Sequence, residues 1–209
     1  MSTATAEKTT EDRYQAERAF TEAVRAWNVD QKGRLAILRR NAGEPIAGAR
    51  AVSWIFSLLN RFERLGDELG DEALFLTATL LAFDRPYLEG KGAFTGSFGR
   101  TMAVLKAQPG ASEESLERRF AILLDADFDP REGTGELPFR LRQTVKLVLS
   151  KEGRIDWPRL LSDLRQWNHP DKYVQKRWAK DFYTTFAAEE TAEETAGTPA
   201  TTQGETDAV

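Results

Sequence analysis

Cysteine is absent from the 209 residues and histidine occurs once. The first absence excludes disulfides, thiolate nucleophiles and cysteine-built zinc or iron–sulfur sites. The second removes most imidazole acid–base and metal chemistry. His169 stands between Asn168 and Pro170, which reads as a helix–helix turn, a place for hydrogen bonding or solvent rather than catalysis. Long apolar runs are missing too: nothing reaches the ~18 residues a membrane-spanning helix needs. The opening "MSTATAEKTTEDRYQ" has no apolar signal-peptide core. The expectation is a soluble, cytoplasmic protein. No serine, threonine, lysine or carboxylate sits beside a base in the sequence, so no catalytic residue, metal ligand or cofactor is expected.

Charge of one sign is scarce only locally. The formal net charge is −4, but residues 187–209 hold Glu189, Glu190, Glu193, Glu194, Glu205 and Asp207 and no Lys or Arg. Without those six acids the chain carries 29 basic residues against 27 acidic. The distribution of charge, not its sum, defines a binding surface, so an acidic total does not exclude nucleic acid.

What is present is helical periodicity. "DEALFLTATLLAF" is apolar all round, the pattern of a helix at the centre of a bundle. In "ARAVSWIFSLLNRFERL" the expected inner stripe is Val52, Ile55, Phe56, Leu59 and Phe62. Leu35, Leu38 and Ala42 form another; so do Phe98, Met102 and Leu105; Leu116, Phe120 and Leu123 or Leu124; Leu141, Val145, Val148 and Leu149; and Leu160, Leu161, Leu164 and Trp167. Val174, Trp178, Phe182 and Phe186 line the last helix. Ser112 and Asp156 are expected N-caps, and Pro158 falls in a first helical turn, where it is tolerated. Trp54, Trp157, Trp167 and Trp178 stand on or beside apolar stripes and are expected in the core.

The expected fold is all-α: two packed helical bundles, a larger one over 14–108 and a smaller one over 109–186. Residues 1–13 and the acidic, low-complexity tail 187–209 are expected to be disordered, since they carry too little apolar surface to offset ordering entropy.

Two motifs test for ligand chemistry. "EGKGAFTGS" has glycines and a lysine but neither the spacing of a phosphate-cradling loop nor a preceding strand; it reads as a flexible connector. In "DADFDPREGTGE", Asp125, Asp127, Asp129 and Glu136 match positions 1, 3, 5 and 12 of a calcium-binding loop. Position 6, normally Gly, is Pro130, whose ring locks φ and forbids the required turn. An acidic inter-helix loop is the expectation.

The arginines form the more coherent signal. Arg39 and Arg40 end a short helix, with Arg34 a turn or so earlier. Such residues complement a helix dipole or wait for phosphate. Arg39 flanks the buried stripe, so packing and binding share it, whereas Arg40 points away. Arg100 faces away from Phe98, Met102 and Leu105. Arg118 and Arg119 precede Phe120. Arg140, Arg142 and Lys146 lie opposite Leu141, Val145 and Val148. Lys172, Lys176 and Arg177 form a last basic group, in which Asp181 stands one turn on from Arg177 and can pair with it.

The order of "LRRNAG" (38–43), "SFGRTM" (97–102), "LERRFAILLDAD" (116–127), "LPFRLRQTVKLVLSKEGRIDWPRLLSDLRQW" (137–167) and "VQKRWAKDFY" (174–183) resembles the CasB-type small subunit of the type I-E CRISPR Cascade complex. The resemblance covers about 14–186 and omits the acidic tail. It implies a non-enzymatic, two-bundle helical subunit of an RNA-guided surveillance complex. The implied partners are the large subunit, the backbone subunits, a second copy of the chain, CRISPR RNA, and the displaced DNA strand of the R-loop. Its basic motif residues correspond to Arg39, Arg40, Arg100, Arg119 and Arg142; helical geometry adds Arg118, Arg140 and Lys146. The alternative is a helical scaffold that docks protein partners without touching nucleic acid.

Overall fold

The computed structural model describes residues 14–62, 65, 68–91, 94–129 and 135–196. Residues 1–13 and 197–209, and with them most of the segments expected to be disordered, lie outside the described residues. So do 130–134 of the acidic loop.

Among the described residues there are ten α-helices and no strand. They are α1 (Gln15–Asp30), α2 (Lys32–Arg40), α3 (Ile55–Arg61), α4 (Glu68–Leu81), α5 (Arg85–Leu88), α6 (Phe98–Lys106), α7 (Glu113–Asp125), α8 (Leu137–Ser150), α9 (Trp157–Arg165) and α10 (Tyr173–Ala196). A 3-10 turn, Ile46–Gly48, lies between α2 and α3. No described helix is long and apolar enough to cross a membrane.

The apolar-all-round segment becomes α4, which is central because α1, α2, α3, α8 and α9 all pack against it. Ala73, Leu74, Phe75, Ala78, Leu80 and Leu81 are fully buried there. The one-sided helices bury the stripes their spacing defines: Leu35 and Leu38 on α2, Met102 on α6, Phe120 and Leu123 on α7, Leu141, Val145 and Val148 on α8. Ser112 occupies the N-cap of α7, although its side chain makes no capping hydrogen bond there.

Stripe spacing misplaces one residue. Phe56 is 49% exposed, and Leu58 is buried instead. Ala51 at φ +59° breaks the chain before Ile55, so α3 is only two turns long and meets α4 along a narrow line. Ile55, Leu58 and Leu59 fill that line, and Phe56 falls outside it.

One contiguous core runs from α1 to α10. α9 packs on α1 and α4, and α10 lies along α6. Buried polar ties fix these contacts. Asp156 caps α9, accepting from the Arg159 N–H at 3.1 Å and from the Gly96 N–H at 3.2 Å, which joins the entry of α9 to the entry of α6. Trp157 Nε1 donates to Asp84 at 2.8 Å. Burial pushes the Asp84 carboxyl above its ordinary value, against the hydrogen bonds from Tyr87 N–H and Trp157. Arg165 donates to the Glu17 carboxylate at 2.9 Å and to the Leu65 carbonyl at 2.8 Å, tying α9 to α1 and to the chain ahead of α4.

Arg177 does not choose the acid one turn along its own helix. It pairs with Asp163 of α9, and Asp181 accepts instead from the Ser97 hydroxyl. Asp163 is 3% exposed, so it is held where a nearby cation counts for more than it does in water. Three tryptophans are in the core as expected, Trp157, Trp167 and Trp178. Trp54 is only half-buried: it donates to the Ala51 carbonyl at 2.9 Å and packs edge-on to Trp27 at 5.1 Å.

Candidate nucleic-acid interface

The end of α2 is held rigidly. Asn41 donates from Nδ2 to the carbonyls of Ile37 (2.9 Å) and Arg50 (3.0 Å), and its Oδ1 accepts from the Arg50 N–H at 2.8 Å. That clamp fixes the loop after the helix. Arg39 Nε donates to the Ala82 carbonyl at 2.6 Å, so its guanidinium bridges α2 to the end of α4. Arg40 is exposed and has no hydrogen bond or ion pair among the described residues. Arg34 is taken up elsewhere: its guanidinium lies 4.9 Å from the Trp54 ring and 5.4 Å from the Trp27 ring.

These roles separate under mutation. Arg39→Ala removes a charge-assisted hydrogen bond from the carbonyl of the buried Ala82 and is expected to lower stability by about 1.5–3 kcal/mol. Arg40→Ala is expected to stay within about 0.5 kcal/mol of wild type. Urea unfolding midpoints check both.

Helix α8 brings the next two cations to the same place. The Arg142 stem crosses the loop after α2 at Gly43, whose φ is +86°; a Cβ there would lie 3.4 Å from Arg142 Cδ. Arg142 Nε is buried with no hydrogen-bond partner. One turn on, the Lys146 ammonium lies 5.6 Å from the Phe83 ring, next to the Ala82 that Arg39 holds. Arg39 and Lys146 therefore meet at the end of α4, and Arg142 reaches the loop that follows Arg40.

The other side of α8 faces α7. Arg119, Ile122, Phe139, Arg140 and Gln143 line a cleft of about 270 Å3 between the two helices. Arg119 is exposed, its closest polar partner being Ser115 Oγ at 3.5 Å. Arg140 is not a free cation, since Glu136 one turn earlier meets it at 3.2 Å. Arg118 is exposed on α7 with no ion pair among the described residues. Arg100 stands apart from this group: it is exposed in the first turn of α6, its stem against Gly96.

This face also carries exposed apolar side chains that helical spacing does not reveal. Phe139 (51% exposed) and Ile122 (38% exposed) lie off the buried stripes of α8 and α7. The available signal was a large apolar side chain on the polar side of a helix.

The remaining motifs are occupied by structure. The carbonyls of Ala126, Asp127 and Phe128 accept from Trp167 Nε1, Leu137 N–H and Asn168 Nδ2 respectively. Gly135, at φ +64°, passes so close to Asp127 that a Cβ would lie 2.4 Å from its carbonyl oxygen. No group of His, Asp and Glu able to hold a metal ion occurs among the described residues. His169 accepts the Asp171 N–H at 3.3 Å and packs on Tyr173, a turn residue.

The fold and its cations define a class: a protein all-helical among the described residues, with Arg40, Arg118, Arg119 and Lys146 exposed on α2, α7 and α8. The chain belongs to the CRISPR-associated Cse2 family, whose model matches residues 34–183. The Cse2 protein of Thermus thermophilus is 36% identical over 166 residues, 79% of this chain and 85% of its own. Among solved structures, M. ruber CasB is 36% identical with a TM-score of 0.68, covering 85% of this chain and 98% of that one. A chain of a CRISPR RNA-guided surveillance complex shares the fold at 20% identity, with a TM-score of 0.69 over 88% of this chain and 98% of that one.

Proposed function

We propose that this chain is the non-catalytic small subunit of a type I-E CRISPR RNA-guided surveillance complex, and that its basic face holds the displaced DNA strand of the R-loop. The partners in this reading are the large and backbone subunits, a second copy of the chain, and CRISPR RNA. The observation that supports it is that Arg142 crosses the loop after α2 at Gly43 and Lys146 stands beside Phe83, next to the Ala82 carbonyl that Arg39 holds, while Arg40, Arg142 and Lys146 have no carboxylate within ion-pair distance among the described residues.

Opening DNA by pairing it with a guide RNA is a near-balanced exchange of one duplex for another. A few phosphate contacts to the displaced strand are then enough to tip it. Guanidinium groups supply such contacts without reading bases, while the guide carries the sequence. Arg40, Arg119, Arg142 and Lys146 bind phosphate in this reading. Arg39 positions the face from behind, Arg118 extends it on α7, Arg100 offers a separate phosphate contact on α6, and Arg140 contributes less because Glu136 shares it.

The test is salt dependence. Arg40, Arg119, Arg142 and Lys146 changed together to Ala are expected to flatten the slope of log affinity against log salt for single-stranded DNA by about 3, from ~0.7 per phosphate contact. An unaltered slope contradicts the assignment.

A second reading is favoured by Phe139 and Ile122, exposed apolar groups beside Arg119: this cleft docks a protein subunit, and the chain is a scaffold there. Pull-down of the neighbouring subunits from nuclease-treated lysate separates the two. A scaffold keeps its partners after nuclease, and Phe139→Ser reduces their yield.

A further inference from the structure

The cationic surface continues beyond Lys146. Phe83, under the Lys146 ammonium, also lines a cleft of about 380 Å3 between the α4–α5 turn and the loop after α8. Arg85, Lys91 and Arg154 stand on the walls of that cleft. Lys91 is shared with a second cleft of about 440 Å3, where Arg18 and Arg25 of α1 face Arg159 in the first turn of α9. Tyr87, whose ring the Arg25 guanidinium meets at 5.9 Å, and Phe94 are among the aromatic residues lining this second cleft. Phe94 and Arg100 both lie against Gly96. A Cβ on Gly96 would lie 3.2 Å from the Phe94 ring and 3.1 Å from Arg100 Cδ. Arg100, which has no described contact with the α8 group, thus stands at the other end of a series of two clefts that begins at Lys146.

The charge in these clefts is only partly neutralised. Glu89 serves both Arg85 (2.7 Å) and Lys91 (2.9 Å), and Glu22 pairs with Arg25 at 2.5 Å. Asp84 and Asp156 line the walls, but their oxygens already accept from Trp157 Nε1 and Tyr87 N–H, and from Gly96 and Arg159 N–H. Glu152 is the remaining acid. Arg18, Arg154 and Arg159 make no ion pair among the described residues, although Asp156 is near enough to act on Arg18 and Arg159, and Asp84 on Arg154. Guanidinium and ammonium groups in series, with rings between them, are the equipment of a groove that tracks a single-stranded backbone and stacks its bases. An acidic peptide has no use for the rings.

We propose that these two clefts carry a single-stranded nucleic acid onward from Lys146, its phosphates meeting Arg154, Lys91, Arg18 and Arg159 in turn, with a base against Phe94 near Arg100. The inference rests on the reading of the α8 face as a strand-binding surface and extends it by two subsites.

Binding of the full chain to fluorescent oligo-dT of about 10 to 40 nucleotides, followed by anisotropy across a salt series, tests it. Wild type is expected to gain affinity with length until the whole path is filled. Arg18, Lys91 and Arg154 changed together to Ala should reach its plateau at a shorter length, with a salt slope flatter by about 2, at ~0.7 per lost contact. The Arg18 and Arg154 side chains make no described hydrogen bond, and Lys91 bonds only the exposed Glu89, so the fold should survive. Circular dichroism checks that point, and Arg18→Glu with Arg154→Glu gives a second variant with a larger expected loss. If the cleft variants match wild type at every length and salt while the Arg40, Arg119, Arg142 and Lys146 variant loses binding, the extension fails and the α8 reading stands. If both sets match wild type, both readings fail. Polyglutamate competing as well as oligo-dT for the clefts would also overturn the inference.

Discussion

Gly99→Ala is expected to destabilise the fold by about 2 kcal/mol or more, although the same change on an exposed helix stabilises by about 1 kcal/mol. The reversal comes from how α6 and α10 meet. A Cβ on Gly99 would lie 2.1 Å from the Trp178 carbonyl oxygen and 2.7 Å from its carbonyl carbon and Cα. Backbone stands on both sides of that contact, so no rotamer change relieves it and the helices must separate. Separation loosens the packing of Trp178 against Phe98 (5.2 Å between ring centroids) and Trp167 (5.0 Å). The urea midpoint should drop with an unaltered m-value. A midpoint equal to or above wild type contradicts the close approach.

Asp163→Ala is expected to cost about 3 kcal/mol. Asp163 is buried and accepts from Trp178 Nε1 at 2.6 Å while pairing with Arg177. Removing one member of a buried pair leaves the other uncompensated, a loss of about 3–5 kcal/mol. Arg177 keeps about a quarter of its side chain exposed, which places the cost at the low end. The same site gives a pH signature. Burial pushes the Asp163 carboxyl up to about 6, outweighing the opposing pull of Arg177 and the Trp178 N–H. The folded state therefore binds a proton that the unfolded chain, with its carboxyl near ~4, has released. The stability from this group is complete below that lower value and is lost as pH rises through about 6. The shift corresponds to roughly 3 kcal/mol across the window. Asp163→Asn keeps a carbonyl for Trp178 but cannot titrate. Its denaturation free energy, compared with wild type at pH 4 and pH 7, should gain relative to wild type as pH rises. Parallel profiles contradict this account.

Stripes that spacing alone defines, such as Leu35 and Leu38 or Leu141, Val145 and Val148, are buried, because each helix turns one continuous apolar face to the core. The family resemblance rested on the order of short motifs, and the family match agrees with it. Local pairing was less legible. The partners of Arg177 and Arg39 lie 14 and 43 residues away, and Arg34 is held between tryptophans from two different segments. Helical angles say which way a side chain points from its own axis, but not what another helix brings to meet it. Arg140 is the opposite case, since Glu136 one turn before it was visible in the sequence. The clefts beyond Lys146 had no sequence signal, since Arg18, Lys91 and Arg154 come from three separate segments and each resembles an ordinary surface residue.

The central claim is that cations gathered around α8 hold a displaced strand. Its most direct measurement is R-loop yield on a matched DNA target by the surveillance complex, assembled with wild-type chain or with Arg40, Arg119, Arg142 and Lys146 changed to Ala. The variant is expected to assemble into the complex and to lose at least tenfold in R-loop formation, the loss shrinking as salt is lowered. Full R-loop yield from a variant that assembles normally would contradict it.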